Sequence, residues 1–475
     1  MELKLYNTME HRVVPFKSIV PGKAGLYTCG PTVYNFAHIG NFRAYTFEDI
    51  LRRVLEYFGY EVKQVMNLTD VDDKTIRDSK AAGIPLREFT AKYKKAFFED
   101  IKELNIEAAA VYPAATDHIA EMISLIQVLM DKGYAYQAGD KCIYFSIDKF
   151  PEYGKLARID RENQKSGVRI NADEYAKDAA ADFALWKARD EADGDVYWPS
   201  PWGEGRPGWH IECSAMSSKY LGDSFDLHTG GIDNMFPHHE DEIAQSEAAS
   251  GHKWVNYWLH CEHLMVEGAK MSKSLGNFFT LRDLRDKGWT GREIRWVLIG
   301  AHYRKKLNFT FGSLEAARDT LGKFDTLFCR LQKITGAGEV SAEAADAAAA
   351  AKERFAAALA DDLNVPGALA SLYELMKQAN RLADENRLNA ADAAVLLDAY
   401  RDFDRVLGAL DVDGAAGRAG AAGEFPAEVI ALAEARAEAR KQRDFAASDR
   451  LRDEIAAAGY LIEDAPGGVW KLKKR

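Results

Sequence analysis

The chain has 475 residues, 47% of them hydrophobic and 28% charged, a balance typical of soluble globular proteins and a length that calls for two to four domains. It has no run of about 18 apolar residues to span a bilayer, and its opening, MELKLYNTMEHRVVPF, lacks the apolar stretch of a secretory signal. The net charge of −11 argues against a nucleic-acid binder unless binding relies on a local patch.

The cysteines (Cys29, Cys142, Cys213, Cys261, Cys329) are odd in number and scattered. That pattern argues against a disulfide framework and for a reducing compartment, so a cytoplasmic location is expected.

In chain order, Gly25 to Cys29 is a short apolar run stopped by Gly30-Pro31, read as a strand end and turn. Thr46 to Phe58 carries apolar residues at helical spacing, and Glu61 to Met66 reads as the next strand. Strand, helix, strand predicts a βαβ crossover and a parallel sheet. Residues 85 to 135 are helical in pattern. Residues 140 to 185 are irregular and polar, with a strand-like Cys142 to Phe145, and read as an insertion. A second α/β portion is expected from Phe183-Ala184-Leu185-Trp186 to about residue 265. Beyond residue 312 the chain is alanine-rich and helical. The glycine-rich stretch 411–424 reads as a flexible linker before a small last module. The basic clusters His302 to Lys306 and Lys471 to Arg475 read as solvated surface.

Two motifs point to phosphate chemistry. His38-Ile39-Gly40-Asn41 lies between the first strand and the first long helix. Free N–H groups at a helix start attract anions, glycine permits close backbone approach, and histidine can donate to a phosphate oxygen. Lys270-Met271-Ser272-Lys273-Ser274, flanked by Gly268 and Gly276, reads as a basic loop able to close over a triphosphate. Each motif alone also fits an ordinary turn or polar loop. Together, a His-Ile-Gly-(His/Asn) turn followed far downstream by Lys-Met-Ser-Lys-Ser resembles the class I aminoacyl-tRNA synthetases. Asn41 stands where histidine is commoner in that pattern, which bears on the detail of the phosphate contact.

A third constellation concerns metal. Cys29 ends the first strand, Cys213 closes Trp209-His210-Ile211-Glu212-Cys213, and His238 and Glu242 are spaced to share one helical face. Two thiols, an imidazole and a carboxylate form a zinc-type donor set, although buried core cysteines and a surface His/Glu pair would give the same pattern.

Three longer strings make the resemblance specific: Tyr27-Thr28-Cys29-Gly30-Pro31-Thr32-Val33-Tyr34, Asn67-Leu68-Thr69-Asp70-Val71-Asp72-Asp73-Lys74, and Pro207-Gly208-Trp209-His210-Ile211-Glu212-Cys213-Ser214. They resemble the cysteinyl-tRNA synthetases over nearly the whole chain. The resemblance implies a zinc ion held by Cys29, Cys213, His238 and Glu242, with His239 as the competing ligand. It implies ATP with Mg²⁺ handled by His38, Gly40, Asn41, Lys270 and Lys273, and adenosine placed against Gly230 and Asp233. Thr69 and Trp209 would line an L-cysteine pocket, though Trp209 is equally a core residue by type. The implied acceptor is tRNA(Cys), and the implied state is a monomer with no membrane contact.

The fold it implies is α/β. A Rossmann-like parallel-sheet catalytic domain (1–125 and 186–265) is interrupted by an insertion (126–185). The loop and stem-contact region (266–311), a helical bundle (312–410), a linker (411–425) and a small α+β anticodon-binding module (426–475) follow. Two other functions remain open at this point. A ligase of the mycothiol pathway shares the cysteine-activating half but lacks the last module, and an inactive RNA-binding paralogue would have lost the lysines or metal ligands that are present here.

Overall fold

The computed structural model describes residues 1–159, 182–418, 427–442, 444–465 and 469–474. Its centre is a parallel sheet whose strands lie in the order Val255–Cys261, Phe225–Gly231, Lys23–Thr28, Glu61–Met66. These strands are largely buried because helices cover both faces. Helix Ile39–Tyr57 joins the first pair, burying Phe42, Phe47, Ile50, Leu51, Val54 and Leu55. The helix begins seven residues before the Thr46 start expected from periodicity, because His38 caps it and the motif forms its first turn. Strand order reverses between Lys23–Thr28 and Phe225–Gly231, and ligands collect at the carboxyl edge of such a switch point.

The sequence reading put Phe183-Ala184-Leu185-Trp186 at the start of the second half of this sheet, and the structure corrects that. Phe183–Ala188 pairs antiparallel with Ile143–Phe145 and Gly205–Pro207 in a separate four-stranded sheet completed by Ala135–Gln137. An apolar run of four residues carries no direction of pairing, so parallel and antiparallel neighbours look alike in sequence. The insertion therefore continues past residue 185, and residues 160–181 of it lie outside the described residues.

A three-stranded sheet, Ala269–Lys270, Leu264–Val266 and Leu307–Phe309, carries the basic loop. Helices Phe311–Gln332, Ala342–Ala360, Val365–Asp384 and Ala390–Leu407 form the bundle. Small side chains permit close approach, and Ala344, Ala347, Ala348 and Ala351 are buried in the alanine-rich helix. The start of the expected linker is not free. Val412 and Ala415 are buried in the main core, and Arg418 pairs with Asp325. The rest of it, 419–425, lies outside the described residues. Helices Ala427–Lys441 and Phe445–Ala457 and the hairpin Tyr460–Ala465/Val469–Lys474 make the last module.

Buried carboxylates help to join the sheet to the bundle, and Asp49 is one of them. Asp49 accepts from Arg53 Nε at 2.9 Å, from the Glu107 amide at 2.8 Å, and from the buried guanidinium of Arg295. Arg295 also donates to the carbonyls of Leu104 and Leu407, and Arg53 to those of Asn105 and Arg405. Two arginines thus satisfy open carbonyls near the ends of helices Leu86–Glu103 and Ala390–Leu407. Breaking a buried pair leaves an uncompensated charge. Asp49→Asn is expected to cost about 3 kcal/mol, measured as a lower urea midpoint, with a bundle that loosens first in hydrogen exchange.

Candidate active site

The carboxyl ends of the sheet strands carry the residues singled out by sequence. Cys29 follows the strand Lys23–Thr28, and its amide bonds to Thr229 O at 3.2 Å. Cys213 lies on helix Trp209–Leu221. His238 belongs to the turn Met235–His239, which leads into helix Glu240–Ser250 bearing Glu242. Cys29, His238, His239 and Glu242 place ligand atoms within 4.8 Å of one another, all buried. Cys213 joins them, with Sγ 3.7 Å from His238 Nε2. The structure therefore gathers the expected set and the competitor together.

Hydrogen bonding separates the two histidines. His239 has both ring nitrogens engaged, Nε2 with Cys29 Sγ at 3.2 Å and Nδ1 with His260 Nε2 at 2.8 Å. His260 Nδ1 in turn meets Thr8 Oγ1 at 2.9 Å. His238 has Nδ1 on His210 Nδ1 at 2.8 Å, and its Nε2 faces Glu242 Oε1 at 2.7 Å. That carboxylate oxygen is buried and makes no hydrogen bond despite the short approach. Glu242 Oε1 and His238 Nε2 face one space with two thiols beside them, a donor set that a thiophilic divalent cation fits once it displaces the proton of the ring.

The electrostatics agree with the geometry. Burial pushes the Cys213 thiol well up, aided by Cys29 and the charge of Glu242. Burial also opposes the charge on Glu242, but His238 and His228 hold it well below the usual carboxylate range. His238 is raised well above an ordinary imidazole; burial works against its charge, and Glu242 outweighs burial. Burial lowers His210 and His239 well below normal, and His260 to about 3, so these rings are neutral. The Glu242 carboxylate is thus balanced by His238, and a divalent cation bound here would displace the protons of the thiols and of that ring.

Around this cluster the second layer is specific. His228 Nε2 donates to Glu242 Oε2 at 2.7 Å and stacks on Trp258. His210 reaches Asp241, which accepts from Tyr153. Trp209 is 37% exposed and stacks on His238 with ring centroids 4.2 Å apart, so its indole forms a wall of the site, not core. Thr69 is buried, donates to Glu212 Oε2 at 2.8 Å, and accepts from Asn67 Nδ2 at 3.2 Å. Sequence reading passed over His228, His260 and Glu212 as functional supports. Glu212 and His210 lie inside a quoted motif, whereas His228 and His260 lie on separate strands with no local signature.

The phosphate-binding turn is equally defined. His38 Nδ1 accepts from the Asn41 amide at 3.2 Å, and Asn41 Oδ1 accepts from the His38 amide at 3.1 Å. This reciprocal cap explains the departure at position 41: Asn41 supplies the returning acceptor, as Glu or Gln does in a capping box. Its Nδ2 remains a donor. Burial lowers His38 to about 4, although Asp233 opposes the shift. The ring is therefore neutral, and with Nδ1 accepting, its proton is on Nε2. A Cβ on Gly40 would sit 2.9 Å from His38 Nδ1 and 3.0 Å from Met271 Cε, so the glycine is required for packing. Gly230 is constrained too, since a Cβ there would meet His239 Cε1 at 2.9 Å. Asp233 is exposed at the sheet edge beyond it. Lys270 is exposed at the end of strand Ala269–Lys270. Lys273 begins the turn Lys273–Leu275, and its side chain lies outside the described residues.

Comparison with known proteins places these features in a family. Residues 15–319 match the family described as tRNA synthetases class I (C) catalytic domain. Residues 354–411 match the DALR domain, and residues 422–470 the cysteinyl-tRNA ligase anticodon binding domain. The chain is 50% identical to a cysteine–tRNA ligase of Protochlamydia amoebophila, covering 100% of this chain and 98% of that one. It is 48% identical to a cysteine–tRNA ligase of Brachyspira hyodysenteriae, covering 99% and 100%. In fold it is similar to Mycobacterium tuberculosis methionyl-tRNA synthetase in complex with methionyl-adenylate, with a TM-score of 0.62 at 15% identity over 90% of this chain and 96% of that one. A catalytic domain, a DALR domain and an anticodon-binding domain in this order, with close relatives along the full length, show that the chain belongs to the cysteinyl-tRNA synthetase family of class I aminoacyl-tRNA ligases.

Proposed function

We propose that this chain activates L-cysteine with ATP and transfers it to the terminal ribose of tRNA(Cys), choosing cysteine through a zinc ion held by Cys29, Cys213, His238 and Glu242. The observation that carries the reading is the buried Glu242 Oε1, which makes no hydrogen bond and faces His238 Nε2 beside two thiols. His239 acts from behind, donating to Cys29. When bound, zinc would supply a thiophilic Lewis acid that accepts a substrate thiolate far better than the hydroxyl of serine. Selection in the first binding step makes a separate editing domain unnecessary.

The remaining work falls to the chain itself. Trp209 holds the His238 ring in place by stacking. The hydrogen of the Thr69 hydroxyl is directed to Glu212, which leaves an oxygen lone pair as the acceptor it offers the amino acid. ATP, accompanied by Mg²⁺, lies with its phosphates at the start of helix Ile39–Tyr57 and its adenosine along Gly230 to Asp233. His38 Nε2–H and Asn41 Nδ2 donate to phosphate oxygens, while Lys270 and Lys273 meet charge that grows on the leaving group. The cysteine carboxylate attacks the α-phosphorus in line, the bond to the β-phosphate oxygen breaks, and pyrophosphate leaves. The 2′-hydroxyl of the terminal ribose then attacks the acyl carbon and releases AMP. No protein nucleophile is required; catalysis is positioning and charge stabilisation. The last module supports a tRNA acceptor over an amino sugar, with its arginine-rich helices and Phe445 63% exposed. A cytoplasmic monomer is the accompanying proposal; no described helix is long and apolar enough to cross a membrane.

Three measurements test this reading. ATP–pyrophosphate exchange should occur with cysteine and not serine, and Cys213→Ser should lose both bound zinc by elemental analysis and exchange by about 100-fold or more; full exchange by a zinc-free mutant would remove the metal from selection. Because the His38 pKa is held near 4, below the usual value of about 6.5, its neutral donor persists as pH falls through 6.5. His38→Ala should then lower exchange by about 100-fold, with equal loss at pH 6 and pH 8; a loss that vanishes at one end would contradict a neutral donor. Finally, Phe445→Ala should raise the KM for tRNA by about 10-fold in charging assays and leave exchange untouched.

A further inference from the structure

We propose that Asn277 is a positioning residue that sets the Lys270–Ser274 loop against the His38 turn before ATP arrives. The inference rests on the ATP-dependent reading above and adds to it a side chain that no phosphate-binding motif in this chain includes. Beyond Lys270 the chain leaves its strand, so the amide of Ser272 has no sheet partner. Asn277 Oδ1 takes that amide at 2.8 Å. Its Nδ2 donates to Lys270 O at 3.2 Å and Val266 O at 3.4 Å. One carboxamide thus holds both arms of the loop and ties them to the strand Leu264–Val266. Gly276, at φ +66, reverses the chain so that this side chain turns back beneath the loop.

The neighbours of Asn277 on either side meet the phosphate-binding turn. Met271 Cε packs where a Cβ on Gly40 would be. Phe278 meets the His38 ring edge-on at 5.1 Å, and Phe279 O accepts from the Ile39 amide at 3.0 Å. His38 and Thr280 form a β-bridge. The loop and the turn are therefore one assembly with Asn277 at its centre. Between Met271 and Gly276, among the described residues, the other hydrogen bonds run within the loop, between Ser272 and Ser274 or Leu275. Removing the carboxamide leaves the loop hinged on its strand Ala269–Lys270, with the Ser272 arm no longer fixed to it. Orientation of the lysines over the leaving phosphates would then have to be found during each turnover.

The test uses the full chain. In Asn277→Ala, amide hydrogen exchange of the peptide covering 268–280 should speed by at least tenfold, with the rest of the chain unchanged. In ATP–pyrophosphate exchange the same variant should lose tenfold or more in kcat/KM for ATP, while the KM for cysteine and the rate of transfer from preformed cysteinyl-adenylate stay within twofold. Asn277→Asp, which keeps the acceptor for the Ser272 amide, should recover part of the loop protection. Unchanged protection in the alanine variant, an unchanged kcat/KM for ATP, an aspartate variant no better than alanine, or losses that fall equally on both substrates together with thermal stability would each overturn the proposal. Failure of the unmodified protein to exchange with cysteine would instead defeat the ligase reading, and the hydrogen-exchange comparison would still decide the role of Asn277.

Discussion

Glu242 carries a negative charge into a part of the protein that water does not reach, and the surrounding structure is organised to meet it. A buried carboxylate is tolerated only where polar or positive groups answer each oxygen. His228 answers Oε2 as a hydrogen-bond donor, itself fixed by stacking on Trp258. Oε1 is answered by His238 through charge, without an aligned hydrogen bond. The strands Phe225–Gly231 and Val255–Cys261, which carry His228 and His260, the helix Trp209–Leu221 and the turn Met235–His239 each contribute to this arrangement. The second half of the sheet thus supplies the supports of the metal-type cluster. A divalent cation would take the place of the protons held by the thiols and by His238, and would couple its own binding to stability.

The phosphate-binding edge is built on the opposite principle. There the positive character comes from a helix start and from the exposed Lys270, with little buried charge involved. His38 is useful in this setting because it is neutral. A charged imidazole would lose its Nδ1 acceptor and with it the cap that starts the helix. Burial holds the ring neutral, the cap fixes the proton on Nε2, and the donor that remains points away from the helix. Asn41 belongs to the same device, because its carbonyl oxygen closes the reciprocal cap. A residue that departs from the commoner pattern in sequence thus has a local structural reason.

Much of this was legible in the sequence, and the omissions have physical causes. Glu61–Met66 was readable to the residue because a strand between a glycine stop and a polar turn has clear ends. The start of helix Ile39–Tyr57 was not, since apolar periodicity begins only after the first turn, and that turn is fixed by a histidine cap outside the usual Ser, Thr, Asp and Asn set. Phe183–Ala188 was assigned to the wrong sheet because short apolar strands do not record the direction of their partners. Val412 and Ala415 were read as linker because glycines nearby dominate the composition, while burial is decided by the bundle they pack on. The cysteines, His238 and Glu242 stood out by residue type. Their supports did not, because a histidine on a strand has no signature until the fold brings it beside another.

The two edges also differ in how much they are allowed to move. Selecting cysteine against serine requires a site whose donors cannot rearrange to suit a different ligand, and buried residues with doubly engaged histidines supply that rigidity. Phosphoryl chemistry requires groups that follow charge as it shifts from the α-phosphate to the leaving pyrophosphate, and a long side chain such as that of exposed Lys270 can do so. The join between these regimes runs along Gly40, Met271 and residues 278–280, where packing is close and Phe279 O accepts from the Ile39 amide. On the proposed reading, the enzyme holds its amino acid by fixed coordination while lysine side chains follow the phosphates above a loop that is itself held in place. The two demands meet because strand order reverses at Lys23–Thr28 and Phe225–Gly231, which places the buried cluster and the loop at one sheet edge.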